Sequence, residues 1–281
     1  MTRIKTRRIS FAYPPETMPR HYMGDDLIMS HVVAVLSSFF PEGEDFFVQS
    51  VRNYRDRITD PVLKQQVAGF IGQEAIHGRE HRTFNDRLDA MGYPTHFIDR
   101  LTKYGLVVGA KVLPKKHQLA MTAALEHYTA TLAFTILDHP HGRDMLTHDE
   151  VRSLFLWHAL EENEHKAVAF DVYKAVGGSE RMRVWTMKFL RFGFVAGMVV
   201  QIIVSLLGDK ETFKKGKLRQ SWKRVRRSPL LSKELWNELK DYDRPDFHPD
   251  DSDTDALVEE WRAKLFGEQG SLNDKLAGSA A

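Results

Sequence analysis

Apolar residues recur three or four positions apart along most of the chain, which is the repeat of one face of an α-helix. The pattern predicts a short helix over residues 27–40 and four longer helices at about 42–59, 61–91, 116–137 and 147–176. Asp60 and Pro61 predict the start of the second long helix, because Asp caps helix N-termini and Pro is tolerated in a first turn. No segment alternates polar and apolar residues for long enough to predict a strand. We therefore expect an all-α protein.

Residues 95–116 are weakly patterned and could cross a helical bundle, so we expect a four-helix bundle with a long crossover connection. Residues 1–26 carry Pro14, Pro15 and Pro19 among basic residues, which predicts an extended N-terminal arm lying on the surface. The bundle is expected over residues 27–180, and additional C-terminal helices over 181–266. The polar residues 267–281 are expected to form a disordered tail.

Carboxylates and imidazoles occupy the apolar stripe of each long helix. In the second and fourth long helices they form Glu-x-x-His pairs, whose two members are neighbours on one helix face. A single Glu lies in the stripe of each of the other two helices. This combination is the ligand set of the dinuclear carboxylate bundles. The predicted metal ligands are Glu44, Glu74, His77, Glu126, Glu162 and His165.

Four carboxylates buried together would each cost several kcal/mol without a compensating charge. A pair of divalent cations removes that cost, and mixed oxygen and nitrogen donors suit iron or manganese better than metals that prefer soft ligands. We expect two metal ions, with iron favoured and manganese or zinc as alternatives. The opposing interpretation is a buried ion-pair network, or polar residues that face solvent on less regular helices.

Residues next to the predicted ligands have several open roles. Glu161 lies one turn before the last ligand and could replace Glu162, although the phase of the stripe favours Glu162. His81 and His158 each lie one turn from a ligand, so each could bind metal, relay protons or hydrogen-bond a ligand. Tyr54 shares the stripe of the first long helix and is either a hydroxyl near the centre or a core side chain. We take His81, His158 and Tyr54 as candidate catalytic residues.

The composition excludes several classes of site. The chain has no cysteine, so disulfides, thiolate catalysis and Cys-ligated zinc or iron–sulfur sites are ruled out. A net charge of +2 gives no general attraction to nucleic acid, and we expect no nucleic-acid partner. The basic N-terminus lacks the apolar run of a secretory signal, so we expect a cytoplasmic protein.

A nearly unbroken apolar stretch lies within residues 185–207, and nine basic residues follow it over 210–227. An apolar helix that ends in a basic cluster is typical of a segment that contacts an anionic membrane leaflet. The stretch equally suits a helix buried in the protein or in a homodimer, and it is short for a transmembrane span. Peripheral contact with the inner face of the membrane and homodimerisation both stay open at this point.

The motifs around the ligands carry a family resemblance. They are Phe40-Pro41-Glu42-Gly43-Glu44, Gln73-Glu74-Ala75-Ile76-His77 with His81, Glu126-His127, and Trp157-His158 through Glu161-Glu162-Asn163-Glu164-His165. From about residue 5 to 265 the chain resembles the ferritin-like bacterial proteins described as predicted metal-dependent hydrolases. The resemblance implies a dinuclear site on a ferritin-like bundle.

Three functions are consistent with such a site. The first, which we favour from the sequence, is a di-iron oxidoreductase that activates O2 on an organic, lipid-like small molecule. The second is a hydrolase in which a metal-activated water attacks the substrate, as the family description suggests. The third is an iron-binding or storage protein. The sequence predicts the metal site more firmly than any of these reactions.

Overall fold

The computed structural model describes residues 4–277, and this part of the chain is all-α, which confirms the all-α part of the predicted fold class. Its helices are α1 (Leu27–Arg52), α2 (Pro61–Ala90), α3 (Thr95–Val112), α4 (Lys115–Asp138), α5 (Pro140–Asp144), α6 (Asp149–His165), α7 (Val168–Ala175), α8 (Glu180–Leu207), α9 (Lys217–Val225), α10 (Lys233–Asp241) and α11 (Asp255–Phe266). Among these residues the one β-type contact is an isolated bridge between Ile9 and Leu276.

Helix α2 begins as its sequence predicts. The Asp60 carboxylate accepts a hydrogen bond from the Leu63 backbone N–H at 2.7 Å, and Pro61 is the first helical residue. The helix runs for 30 residues to Ala90, and Gly92 follows with a positive φ of 88° that glycine adopts without strain. Local capping chemistry therefore sets both ends of the helix that carries the first Glu-x-x-His pair.

Pro41 lies inside α1, so the predicted break between a short and a long helix at this residue is wrong. Proline has no N–H, which leaves the carbonyl four residues earlier without its helical hydrogen bond. That carbonyl belongs to Ser37, and the side-chain amide of Asn85 on α2 donates to it at 3.0 Å. The neighbouring helix replaces the missing bond, and α1 continues without interruption to Arg52.

Two other segments differ from the pattern. The expected crossover, residues 95–116, contains α3, an 18-residue helix that packs against α1 and α2. The expected fourth long helix is divided, because α6 ends at His165 and α7 begins at Val168. The division comes directly after the last predicted ligand.

The hydrophobic core has two parts. The first joins the beginning of α1, the end of α2 and most of α6, and its members include Val33, Ala34, Phe84, Leu88, Leu154 and Trp157. The second joins the end of α1, the beginning of α2, α4 and α7, and its members include Phe47, Val51, Val67, Phe70, Leu119 and Val172. Along α1, α2 and the α6–α7 pair, the predicted ligands lie between these two parts. The polar residues are therefore enclosed by apolar packing on both sides.

The N-terminal arm is extended, but it is not on the surface as predicted. Ile9, Phe11 and Tyr13 are buried in the first part of the core, while the residues between them are exposed. This short alternation is the pattern of an extended segment with one buried face. The arm also pairs with the C-terminal residues, since Ser10 N–H donates to the Lys275 carbonyl at 3.1 Å.

The predicted disordered tail is wrong for residues 267–277. Leu272 is buried in the core, and the Ala277 N–H donates to the Arg8 carbonyl at 2.7 Å. Residues 267–277 are therefore ordered by the burial of Leu272 and by backbone pairing with the extended N-terminal arm. The remaining residues of the predicted tail, 278–281, lie outside the described residues.

Candidate metal centre

The six predicted ligands come together in the interior from α1, α2, α4 and α6, and each is almost fully buried. His77 Nδ1 lies 3.4 Å from Glu74 Oε1 and 3.7 Å from Glu162 Oε1. His165 Nε2 lies 3.2 Å from Glu74 Oε1, 3.4 Å from Glu126 Oε2 and 3.7 Å from Glu162 Oε2. Glu74 and Glu162 each face both histidines, so each would help to hold a cation bound beside either histidine.

His158 joins the cluster as a seventh donor. Its Nε2 lies 2.8 Å from Glu162 Oε1 and 3.7 Å from Glu44 Oε1. Two groups of three buried residues have donor atoms within 4.8 Å of one another, namely Glu44, His77 and His158, and Glu74, Glu162 and His165. Each group could hold a metal ion.

Most donor atoms that face this cluster have no hydrogen-bond partner among the described residues. They are both carboxylate oxygens of Glu44, Glu74 and Glu126, Oε2 of Glu162, Nδ1 of His77 and Nε2 of His165. Buried polar atoms almost always have a partner, and unpaired buried carboxylates are costly. Oxygen and imidazole donors fit iron, manganese or zinc, so a bound divalent cation would satisfy the whole set.

The outer hydrogen bonds of two histidines determine which nitrogen faces the cluster. His77 Nε2 donates to Glu161 Oε2 at 3.1 Å, because a carboxylate only accepts. His165 Nδ1 donates to Gln73 Oε1 at 2.8 Å, and the Gln73 amide is oriented because its Nε2 donates to Glu164 Oε2 at 2.8 Å. In a neutral imidazole the other nitrogen then carries a lone pair. When both rings are neutral, the inner nitrogens present lone pairs to the carboxylates, as metal ligands do.

A hydrogen-bond chain orients His158 in the same way. Asn85 Nδ2 donates to the Ser37 carbonyl, so Asn85 Oδ1 accepts the Ser37 hydroxyl proton at 2.7 Å. Ser37 Oγ therefore accepts from His81 Nδ1 at 2.8 Å. His81 Nε2 in turn accepts from His158 Nδ1 at 2.8 Å. The chain leaves His158 Nε2 unprotonated and directed at the carboxylates, which is the tautomer that binds a metal.

Without a bound metal, burial shifts the pKa values of these carboxylates and imidazoles. It raises the pKa of Glu74 and of Glu126 to about 8, and together with neighbouring carboxylates it raises the pKa of Glu44 well above its ordinary value. Burial also acts to raise the pKa of Glu162, but the neighbouring imidazoles of His158 and His165 outweigh burial and hold this pKa well below its ordinary value. Burial lowers the pKa of His81 well below its usual range, so this ring is neutral, as the chain from Asn85 requires.

The N-terminal arm places a buried arginine behind the cluster. Arg7 donates to Glu161 Oε1 at 2.8 Å and to Glu164 Oε1 at 2.7 Å. Arg262 on α11 donates to the same Glu164 oxygen at 2.9 Å. Arg7 therefore pairs with the carboxylate that orients His77, and this ion pair ties the arm to the metal centre.

The structure places the residues whose roles the sequence left open at different distances from the cluster. Glu162 lies in the cluster, whereas Glu161 lies behind a ligand and pairs with Arg7. His81 uses both ring nitrogens in the hydrogen-bond chain and lies behind His158. Tyr54 lies in the second part of the core with Arg57 over its ring, and no hydrogen bond or ion pair among the described residues joins it to the ligands.

Four residues that support the candidate ligands were missed from the sequence, namely Arg7, Ser37, Gln73 and Asn85. The sequence held one indication for Arg7. Apolar residues at every second position, Ile9 and Phe11, indicate an extended segment with one buried face, and Arg7 lies on that face. Gln73 directly precedes a ligand, and Ser37 lies four residues before Pro41, but nothing in their local sequence indicates contact with an imidazole. Their roles depend on which helices are neighbours.

An apolar pocket of about 430 Å³ reaches the cluster at Glu44, which is the one carboxylate in its wall. Helices α1, α3, α4 and α8 line the pocket, and most of its wall is formed by Leu36, Phe39, Phe40, Phe47, Leu106, Met121, Leu125, Leu132, Leu190 and Phe194. A smaller cavity of about 30 Å³ touches His158 and Glu162 and shares Leu36 and Phe40 with the pocket. An apolar compound can therefore approach the cluster from the side of α1.

A third group of buried donors, His21, His31 and Asp209, lies elsewhere. Asp209 Oδ2 accepts from Arg20 at 3.0 Å and lies 3.1 Å and 3.2 Å from the two imidazoles. Because Arg20 already supplies a positive charge, this group is a polar contact between the arm, α1 and the end of α8 rather than a metal site.

The fold and the site define a metal-dependent, all-α protein with buried carboxylates and imidazoles that could hold metal ions. The family described as predicted metal-dependent hydrolase matches residues 5–253, and the chain belongs to this family. The match confirms the resemblance that the motifs carry. No curated protein and no solved structure matched the chain.

Proposed function

We propose that the protein is a dinuclear metal-dependent hydrolase that cleaves an acyl bond of an apolar substrate. The observation that carries this proposal is the cluster of unpaired buried donors that meets an apolar pocket at Glu44. In a ferritin-like arrangement of α1, α2, α4 and α6, one ion would be held by Glu44, His77 and His158 and the other by Glu126 and His165. Glu74 and Glu162 face both positions and would bridge them.

Divalent metal ions supply a Lewis acid that polarises a carbonyl and lowers the pKa of bound water toward about 7. The chain's own residues hold and orient the reactants. The pocket wall binds the apolar part of the substrate and excludes bulk water, while Glu44 marks where the reacting carbonyl would lie. In the reaction, the oxygen of water bonds to the acyl carbon, the bond to the leaving group breaks, and the leaving group takes a proton from water.

Family membership is the reason to place hydrolysis ahead of oxidation, although the sequence pattern by itself favours oxidation. Di-iron oxidation with O2 is the second candidate, and a specific feature favours it. The pocket wall offers no carboxylate besides Glu44 and no imidazole to protonate a leaving group, which suits oxidation of an unreactive carbon better than hydrolysis. Both reactions use the same ligands.

Isotope labelling separates the two reactions. The protein is purified without oxygen, its metals are measured by elemental analysis, and p-nitrophenyl octanoate is supplied in ¹⁸O-labelled water. We expect anaerobic turnover with one ¹⁸O atom in the released octanoate. Absence of anaerobic turnover, combined with O2 uptake and an oxo-bridged diferric absorption band after iron loading, would reject hydrolysis in favour of oxidation.

The ligand set is tested by Glu126→Gln, which keeps the shape of the side chain and removes its charge. We expect this variant to lose at least one ion per chain, because an amide is a poor substitute for a charged ligand. Glu16→Gln, at an exposed position of the arm, is the control and should keep the full metal content. Retention of both ions in Glu126→Gln would show that the ligand set is wrong.

A further inference from the structure

Two helices beside the pocket expose apolar faces. Of the 28 residues of α8, those buried are Arg183, Met187, Leu190, Arg191, Ser205 and Leu206, and of the 18 residues of α3 they are Thr95 and Ile98. Large apolar side chains are exposed instead, including Phe97, Leu101, Tyr104, Val108 and Val112 on α3 and Trp185, Phe189, Phe192, Val200, Ile203 and Leu207 on α8. We name these exposed residues the apolar face. Contiguous apolar surface of this kind marks a binding surface.

The apolar face borders the entrance to the pocket. Leu101 and Gly105 of α3, and Phe194 and Gly197 of α8, line the pocket that reaches Glu44. A Cβ built at Gly105 or at Gly197 would meet no atom within 4 Å, so the space beside both helices is open. The pocket therefore opens between the two helices that carry the apolar face.

Positive charge follows α8 directly. Residues 210–227 contain nine basic residues and one acidic residue, although the net charge of the whole chain is only +2. Lys215, Arg219 and Lys223 are exposed, and so are the aromatic side chains of Phe213 and Trp222. Basic residues mixed with exposed aromatic rings are typical of a segment at the headgroup level of an anionic membrane.

Helix α8 is, among the described residues, the one helix long and apolar enough to cross a membrane, and 17% of its most apolar window is buried. Both ends of α8 nevertheless make polar contacts with the rest of the protein. Arg183 donates to the Tyr242 carbonyl near one end, and Ser205 Oγ lies 2.6 Å from His31 Nδ1 near the other. Arg191 also pairs with Asp243 at 2.7 Å. A spanning α8 would break these contacts, so α8 can meet a bilayer only along its side.

We propose that the apolar face docks on an anionic lipid bilayer, with α3 and α8 lying in its surface, and that the pocket takes an acyl chain from that bilayer. A bilayer supplies both an apolar interior for the exposed side chains and negative headgroups for residues 210–227. The acyl-chain part rests on the proposed hydrolysis, whereas the docking part does not.

Flotation with vesicles tests the docking. The metal-loaded protein is mixed with vesicles of phosphatidylcholine alone or of phosphatidylcholine with phosphatidylglycerol, and bound protein is measured after centrifugation. One double variant, Phe189→Glu with Val200→Glu, changes two residues on the same side of α8 that are 76% and 57% exposed. A second double variant, Lys215→Glu with Arg219→Glu, reverses two exposed charges. The controls Val62→Glu and Lys64→Glu make the same changes at exposed positions of α2.

We expect the protein to float with the anionic vesicles and to bind the neutral ones weakly. Binding should fall about tenfold or more in the α8 variant, which loses apolar contact with the bilayer. It should fall about thirtyfold or more in the basic-segment variant, because each positive charge removed costs about fivefold and the two added carboxylates repel anionic headgroups. Both control variants should bind as the original chain does.

Two results would overturn the docking proposal. One is failure of the original chain to bind either kind of vesicle. The other is a dimer in analytical ultracentrifugation that Phe189→Glu with Val200→Glu converts to monomer, which would assign the apolar face to a second copy. Turnover of p-nitrophenyl acetate without vesicles reports on the proposed function separately. Turnover without vesicle binding would reject the docking proposal and leave the proposed hydrolysis standing. Vesicle binding without turnover would support docking and reject both the hydrolysis and the binding of an acyl chain that rests on it.

Discussion

Replacing Asn85 by leucine should weaken metal binding although Asn85 touches no metal ligand. Leucine has nearly the shape of asparagine but lacks its amide, so it can neither donate to the Ser37 carbonyl nor accept the Ser37 hydroxyl proton. The hydroxyl is then free to donate to His81 Nδ1, which moves the proton of that ring to Nε2. His81 Nε2 would then donate to His158 Nδ1, and His158 would carry its proton on the nitrogen that faces the carboxylates.

The expected magnitudes follow from these contacts. Losing the group that orients a metal ligand typically reduces metal affinity by about 10- to 100-fold, which corresponds to about 1.4–2.8 kcal/mol. The metal-free protein should also lose about 1–3 kcal/mol of unfolding free energy, because Pro41 supplies no N–H and the buried Ser37 carbonyl is left without a partner. The two losses are measured independently.

Metal affinity is measured by competition with a chelator, and the stability of the metal-free protein by urea unfolding followed with circular dichroism. Thr122→Val is the matched control, because Thr122 is buried on α4 and its hydroxyl lies 2.7 Å from Ser50 Oγ outside the chain to His158. This control should lose about 1 kcal/mol of stability and keep its metal affinity. Equal loss of affinity in both variants, or wild-type affinity in Asn85→Leu, would refute the hydrogen-bond chain.

Three further predictions concern stability. Removing metal with a chelator should lower the thermal unfolding midpoint, because metal at about a thousandfold above its Kd stabilises the folded state by about 4 kcal/mol; an unchanged midpoint in calorimetry would contradict this. Burial lowers the pKa of His31 from 6.5 to about 4, so the unfolded chain binds a proton that the folded one does not, and stability should fall as pH falls through that range. Urea midpoints should fall from pH 7 to pH 4, and His31→Gln should make this fall smaller. Phe70→Ala, at a buried ring whose centre lies 5.0 Å from that of His165, should cost about 3–5 kcal/mol in urea unfolding, and Phe70→Leu clearly less.

The spacing of polar residues on apolar stripes predicted which candidate ligands share a helix face, because helical periodicity is a local property. Glu74 and His77 share a face of α2 wherever that helix packs, and Glu162 and His165 share a face of α6. The same local reasoning predicted a break at Pro41, and there it was wrong. The missing hydrogen bond of Pro41 is replaced by Asn85, which lies 44 positions further along the chain and comes close only after α1 and α2 pack.

The N-terminal arm shows the same limit. Its prolines predicted an extended segment, and the segment is extended, but its burial depends on a groove that other elements build. Arg7 reaches Glu161, 154 positions away, and Ile9 pairs with residue 276 at the opposite end of the described chain. No local pattern encodes contacts of that sequence separation.

The sequence by itself determined that the protein is all-α and which six polar side chains on apolar helix faces are candidate metal ligands, because periodicity and capping act over a few residues. Only the tertiary structure decided that Glu162 rather than Glu161 faces the cluster, and that His158 joins it while His81 stands behind. Glu161 is turned away from the cluster because it pairs with Arg7 and with the outer nitrogen of His77. His81 lies behind His158 because its two ring nitrogens contact Ser37 and His158. Packing between distant segments therefore turned a set of candidate ligands into an oriented site.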